Sequence, residues 1–178
     1  MPLTLVTTVG AATANSYATV LEADTLAEEV APPPEAWLAS SADEKKRALV
    51  TACRRLEEER YPGTRVDATQ ALEWPRSGSY DRDRVTLIDT TVIPPVLKRG
   101  QIVLAFAIRK SLKVGEDGFA PSDLSGLTSL SLGSELSMGF DNSDASVGVP
   151  ATERVMAQTI RPMLGNLVYA PQPRFVRG

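Results

Sequence analysis

Hydrophobic and polar positions follow two periods along this chain, and the places where the period changes mark its elements. The opening LTLVTTVG is β-branched and nearly alternating up to Gly10, which predicts a short strand or extended arm lying on a neighbour. From Thr19 the period lengthens. Val20, Ala23, Ala27 and Val30 recur at helical intervals, Thr19 and Glu22 have capping-box spacing, and Pro32-Pro33-Pro34 stops the run, so a helix covers roughly 19–30. Ser41 and Glu44 repeat the device and start a second helix that runs to about residue 60. Its Leu49, Cys53 and Leu56 form one stripe, while Asp43 with Arg47, Arg54 with Glu58 and Arg55 with Glu59 are i,i+4 pairs on the solvated sides.

Residues 61–93 carry Gly63, Gly78 and mixed charge with no helical period, which predicts a long irregular connection, uncommon in a compact domain unless it has a task. Pro94 and Pro95 suit the first turn of a third helix, which continues to Lys113 with Arg109 and Lys110 near its negative end. Its middle, residues 102–108, is apolar all round rather than on one stripe. That requires cover on more than one side and points to a subunit neighbour, with Phe106 as a candidate contact.

From Leu130 the period shortens to two, on both sides of Gly133-Ser134, which predicts a β-hairpin with a two-residue turn. A lone hairpin is marginal in water, so its Leu130, Leu132, Leu136, Met138 and Phe140 need a surface to lie against. After a polar stretch, Pro150 opens a last helix through Val155, Ile160 and Leu167, which Pro162 bends or interrupts. The expected fold is mainly α: a bundle of about four helices over 1–168, a protruding hairpin at about 128–140 and extended arms at both ends, the C-terminal one being 169–178.

Composition narrows the chemistry. With 43% hydrophobic and 23% charged residues, the 178-residue chain fits one globular domain. Nineteen Lys and Arg against 22 Asp and Glu give a net charge of -3, which lacks the basic footprint of a dedicated duplex binder. No apolar run approaches the ~20 residues of a membrane span, and no leader pattern opens the chain, so a soluble cytoplasmic product is expected. With no histidine and one cysteine, the usual zinc and haem ligand sets, an internal disulfide, and Ser-His-Asp or Cys-His catalysis are all closed to this chain alone. Neither a cofactor nor a metal is expected. Cys53 reads as a core thiol.

In order, Ala14-Asn15-Ser16-Tyr17, Ala23-Asp24, Trp37, residues 45–56, Gly63, the string QALEWPRSG (70–78), Ile93-Pro94-Pro95-Val96 and Gln101 resemble the tailed-phage head–tail connector family. Many of these neck adaptor proteins carry the label DnaT-like single-stranded-DNA-binding protein. The similarity runs from about residue 14 to 168. The chain departs from the pattern at Thr25-Leu26 and at Arg161-Pro162.

The resemblance implies a structural protein, not an enzyme. It implies a helical subunit of a ring, twelve-fold in the family, beneath the portal and above a stopper or tail protein. DNA would pass through the channel without sequence-specific contact. Such a protein is made in the host bacterial cytoplasm and resides in the virion neck, with no membrane contact. The alternative is the family's other label, single-stranded-DNA binding. Against it, the arginines between residues 60 and 84 are nearly cancelled by Asp67, Glu73, Asp81 and Asp83, and only Tyr61, Trp74 and Tyr80 could stack on bases there.

Within the loop motif Gln70, Trp74, Pro75, Arg76 and Gly78, the expectation is that Trp74 buries its indole and Pro75 sets the chain direction. Arg76 either bonds loop carbonyls or a carboxylate such as Glu57 or Glu58, or faces a subunit boundary or the DNA channel. The tail, with Tyr169 and with Phe175 between Arg174 and Arg177, has a hot-spot composition and is the candidate portal-binding arm.

Overall fold

The computed structural model describes residues 3–81, 84–113, 129–131, 137–139 and 151–169, and it is mainly helical. Helix α1 (Val20–Glu29) and helix α3 (Ala42–Leu56) each begin at a complete capping box. Thr19 and Ser41 accept from the N3 backbone, while Glu22 and Glu44 reach back to the caps. A single short turn, α2 (Glu35–Leu38), follows the proline run between them and carries Trp37 into the core. Helix α3 stops at Leu56, so Glu58 and Glu59 lie past its end and, among the described residues, the expected Arg54–Glu58 and Arg55–Glu59 pairs do not form; nor does Asp43–Arg47, since Asp43 pairs with Lys46. Arg55 instead pairs with Glu58 at i,i+3, Lys46 with Asp43, and Glu59 with Arg161 across the fold.

Helix α4 (Pro95–Lys113) is the central element. Residues 101–108 are all buried. The cover comes from this chain itself, because α4 packs against α2, α3, the segment α5 (Ala151–Val155), the segment α6 (Arg161–Leu164) and the π-helical turn between them. Close approach is possible at Gly100, where an added Cβ would lie 3.4–3.6 Å from Met163, Ile160 and Leu164 side-chain atoms. Phe106, expected at a subunit neighbour, is in the intramolecular core with its ring 5.1 Å from that of Trp37. The correction is physical: short helices from both ends of the chain meet around α4, which a count of helices in sequence order understates.

The last helix is broken where Pro162 sits. Met156–Ile160 is π-helical, with the Arg161 N–H reaching back to the Met156 carbonyl, and a 3-10 turn (Gly165–Leu167) closes the segment. Pro162 has no N–H to give to the carbonyl four residues earlier, so the hydrogen-bond ladder changes pitch there.

The N-terminal arm forms no strand. Residues 3–8 have no regular secondary structure and are fastened to their own chain, where Asn15 Oδ1 accepts from the Val6 N–H at 2.8 Å and Asn15 Nδ2 donates to the Thr4 carbonyl at 2.9 Å. The irregular connection carries one small ribbon, β1 (Thr64–Arg65) antiparallel to β2 (Arg76–Ser77), and a bridge from Tyr80 to Leu87. The hairpin is present as β3 (Ser129–Ser131) antiparallel to β4 (Ser137–Gly139), in a register that sets Leu130 opposite Met138. That register pairs Ser131 with Ser137, and the expected two-residue turn at Gly133-Ser134 lies outside the described residues. Leu132, Leu136 and Phe140 lie outside the described residues, as do Arg174, Phe175 and Arg177.

Candidate functional site

The loop motif QALEWPRSG is an internal fastening. Gln70 is buried; its Oε1 accepts from the Asp67 N–H and its Nε2 donates to the carbonyls of Leu72 (2.7 Å) and Pro75 (3.2 Å), which closes the loop on itself. Trp74 is buried in edge contact with Tyr61, ring centroids 6.0 Å apart, and the Trp74–Pro75 peptide is cis. Among the described residues its indole Nε1 has no hydrogen-bond partner, and Trp74 lines a small cleft together with residues 7–11. Gly78, at φ +77°, turns the chain out of the motif.

Arg76 is 7% exposed, and every nitrogen of its guanidinium is used. Nε donates to the Pro62 carbonyl at 2.8 Å, one terminal nitrogen to the carbonyls of Tyr61 and Gly63, and the other to the carbonyl and carboxylate of Glu73. Loop carbonyls were among its expected partners, whereas the carboxylate is Glu73 and not Glu57 or Glu58. A guanidinium so occupied cannot also reach a phosphate or a neighbour.

Glu57 has a different partner. One carboxylate oxygen accepts from the Tyr17 hydroxyl and the other from the Glu73 N–H at 2.7 Å, while the Tyr17 oxygen also accepts from the Trp74 N–H. Burial pushes the Glu57 carboxyl above the usual carboxylate range, and burial together with the Glu57 charge pushes the Tyr17 hydroxyl well up.

The other motifs also meet each other. Gln101 Oε1 accepts from the N–H groups of Tyr17 and Ala18, and its Nε2 donates to the Ser16 hydroxyl and the Leu49 carbonyl. Asp24 accepts from Trp37 Nε1 and from Lys45, both at 2.8 Å, and the ammonium stands 5.5 Å from the Trp37 ring centre. Burial raises the Cys53 thiol to about 12, which keeps it protonated. Among the described residues no group of three or more His, Cys, Asp or Glu could hold a metal ion, and no helix is long and apolar enough to cross a membrane.

What remains outside this framework is one exposed corner. Of the aromatic side chains whose burial is described, Tyr17, Trp37, Tyr61, Trp74 and Phe106 are buried, whereas Tyr80 is 46% and Tyr169 61% exposed. Asn166 Nδ2 donates to the carbonyls of Tyr80 (3.3 Å) and Asp81 (2.7 Å), and the Tyr169 N–H donates to the Arg60 carbonyl at 2.9 Å. Sequence reasoning assigned Tyr80 to the loop and Tyr169 to the tail; the Asn166 contacts and the segment 60–62 link them, and no local pattern signals it.

A model of the family described as "Putative DnaT-like ssDNA binding protein" matches residues 1–178. No curated protein and no solved structure matches the chain.

Proposed function

The chain belongs to this DnaT-like ssDNA-binding family, and from that premise we propose that it binds single-stranded DNA without sequence preference and without catalysing a reaction. The observation that carries the reading is the extent of the match, which covers the whole chain and so takes in every element described above. The motif loop is not the platform, because Tyr61, Trp74 and Arg76 are committed inside the fold. Binding therefore draws on surface groups, and with a net charge of -3 it is weak and strongly salt-dependent. Fluorescence anisotropy of a labelled oligothymidylate, titrated at several salt concentrations, tests it. The expected result is binding at low salt whose affinity falls with salt by a log–log slope of about -0.7 per phosphate contacted. No binding even at low salt overturns it.

A second reading, the head–tail connector ring between portal and stopper or tail in the virion neck, is supported by the ordered motifs of residues 14–101. Those motifs bond to one another rather than facing solvent, which suits a rigid building block. In that reading Tyr169, Arg174, Phe175 and Arg177 dock on the portal, the hairpin residues Leu130, Leu132, Leu136, Met138 and Phe140 meet a subunit or the stopper, and DNA passes through. Light scattering of the protein with a portal ring tests it: one copy per portal subunit is expected, and free protein alone argues against it. The family description supports strand binding more than this ring.

A further inference from the structure

We propose that the corner formed by Tyr80 and Tyr169, with Arg60 and Arg84, is the docking site for a single nucleic-acid strand; the proposal rests on the strand-binding reading and assigns it a place.

The corner is built by tertiary contacts. Residues 79–81 run antiparallel to residues 86–88 around the Tyr80–Leu87 bridge, with the Asp81 N–H bonded to the Thr86 carbonyl and the Ile88 N–H to the Ser79 carbonyl. In that pattern residues alternate between two faces. Ser79 is fully buried, with its hydroxyl on the Pro62 carbonyl at 2.7 Å, and Ile88 packs on the core. Tyr80 and Leu87 are the outward pair, Leu87 59% and the nearby Val85 79% exposed. Asn166 fixes the Tyr80 backbone to the end of the helical segment that leads to Tyr169, and Tyr169 is fixed to Arg60. The segment 60–62 thus lies between the two exposed tyrosines, held to one at Arg60 and to the other through Pro62 and Ser79.

The charge pattern selects the partner. Among the described residues exposed Arg60 and Arg84 have no carboxylate partner, as is also true of exposed Arg47, Arg54 and Arg99. What sets Arg60 and Arg84 apart is their place beside the two exposed tyrosines, with exposed Asp81 as the acidic neighbour. Arg84 holds a left-handed φ of 60°, an uncommon conformation for a residue with a side chain, at the turn beside Val85. Two exposed rings and two unpaired guanidiniums match the requirements of a strand: faces on which bases stack whatever their identity, and cations for the phosphates between them. Duplex DNA, with its bases stacked internally, cannot use the rings.

The test uses the full chain and a labelled oligothymidylate at low salt. Tyr80→Ala and Tyr169→Ala are each expected to weaken binding about tenfold or more. Tyr80→Phe and Tyr169→Phe, which keep the ring, are expected to restore it. Arg60→Gln and Arg84→Gln are expected to flatten the salt slope by about 0.7 each. Unfolding curves for every variant identify any that lose binding through misfolding, and the phenylalanine pair keeps the test decisive if an alanine variant does. If the wild type binds and both alanine variants bind equally well, the corner is wrong while strand binding stands. If the wild type binds no strand, both fall. If the alanine variants bind the strand normally but change the mass of the protein in solution, the corner is a contact between copies and the proposal is overturned.

Discussion

Gln101, in the buried middle of α4, accepts at Oε1 from the Tyr17 N–H at 3.0 Å, across 84 residues of sequence. The same oxygen accepts from Ala18, and the amide nitrogen serves Ser16 and Leu49, so one side chain satisfies the backbone where the arm enters α1 and where α3 passes α4. Gln101→Met retains the shape and leaves these buried groups without partners. A loss of about 3 kcal/mol or more is expected, read as a lower urea midpoint at unchanged m-value.

Arg76→Lys probes the carbonyl cage of the motif loop. A lysine has one ammonium where the arginine has a planar fork, so it cannot serve Pro62, Tyr61, Gly63 and Glu73 together. Destabilisation of about 2–4 kcal/mol is expected, with little change in affinity for a DNA strand. Thermal unfolding and anisotropy on the same sample check both halves. A stable variant that loses strand binding would place Arg76 on the ligand after all.

The elements that were legible in the sequence are those decided locally. Capping boxes at Thr19 and Ser41, the prolines before α4 and the break at Pro162 each depend on residues a few positions apart. Of the two readings of the opening segment, a short strand or an extended arm, the strand is not formed among the described residues, because β-branched alternation shows that a strand is possible, not that a partner exists to pair with it. The hairpin was found in the right place with its register off by one, since alternation with small residues on both strands constrains register weakly. Pairings such as Gln101 with Tyr17, Glu57 with Tyr17 and Asn166 with Tyr80 span 40 to 86 residues and leave no periodic trace. The exposed corner was invisible for that reason, whereas Trp74 as a core residue followed from its apolar bulk.

Gly63 and Gly10 form a matched pair for testing the packing of the loop. Both have positive φ, +76° and +72°, so alanine strains the backbone at either. At Gly63 an added Cβ would also lie 2.2 Å from the Ser77 carbonyl oxygen, inside the β1–β2 ribbon, whereas nothing lies within 4 Å at Gly10. Gly10→Ala is expected to cost about 1 kcal/mol, and Gly63→Ala roughly 3 kcal/mol or more. Equal melting temperatures for the two variants would contradict the close approach.

Glu57 gives the fold a pH dependence opposite to that of its capping carboxylates. Burial, aided by the neighbouring Glu73 charge, raises its folded pKa against the pull of the Tyr17 hydroxyl, the Glu73 N–H and Arg65. A group raised on folding binds its proton more tightly in the native state. Its contribution is therefore fully present below the unfolded carboxylate value and is lost as pH rises through the folded one. Glu44 behaves in reverse: the Ser41 N–H and hydroxyl, followed by Arg109, hold it at about 2, so its contribution is present at neutral pH and lost only in strong acid. Glu57→Gln separates the two. The amide oxygen still accepts from the Glu73 N–H and the amide nitrogen can donate to the Tyr17 oxygen, while the buried charge is gone. Stability measured between about pH 4 and pH 8 should show the variant gaining on the wild type as pH rises, with the difference levelling once Glu57 is fully ionised. A constant difference across that range would mean that Glu57 titrates alike in the folded and unfolded chains, and that the loop it fastens does not bury its charge.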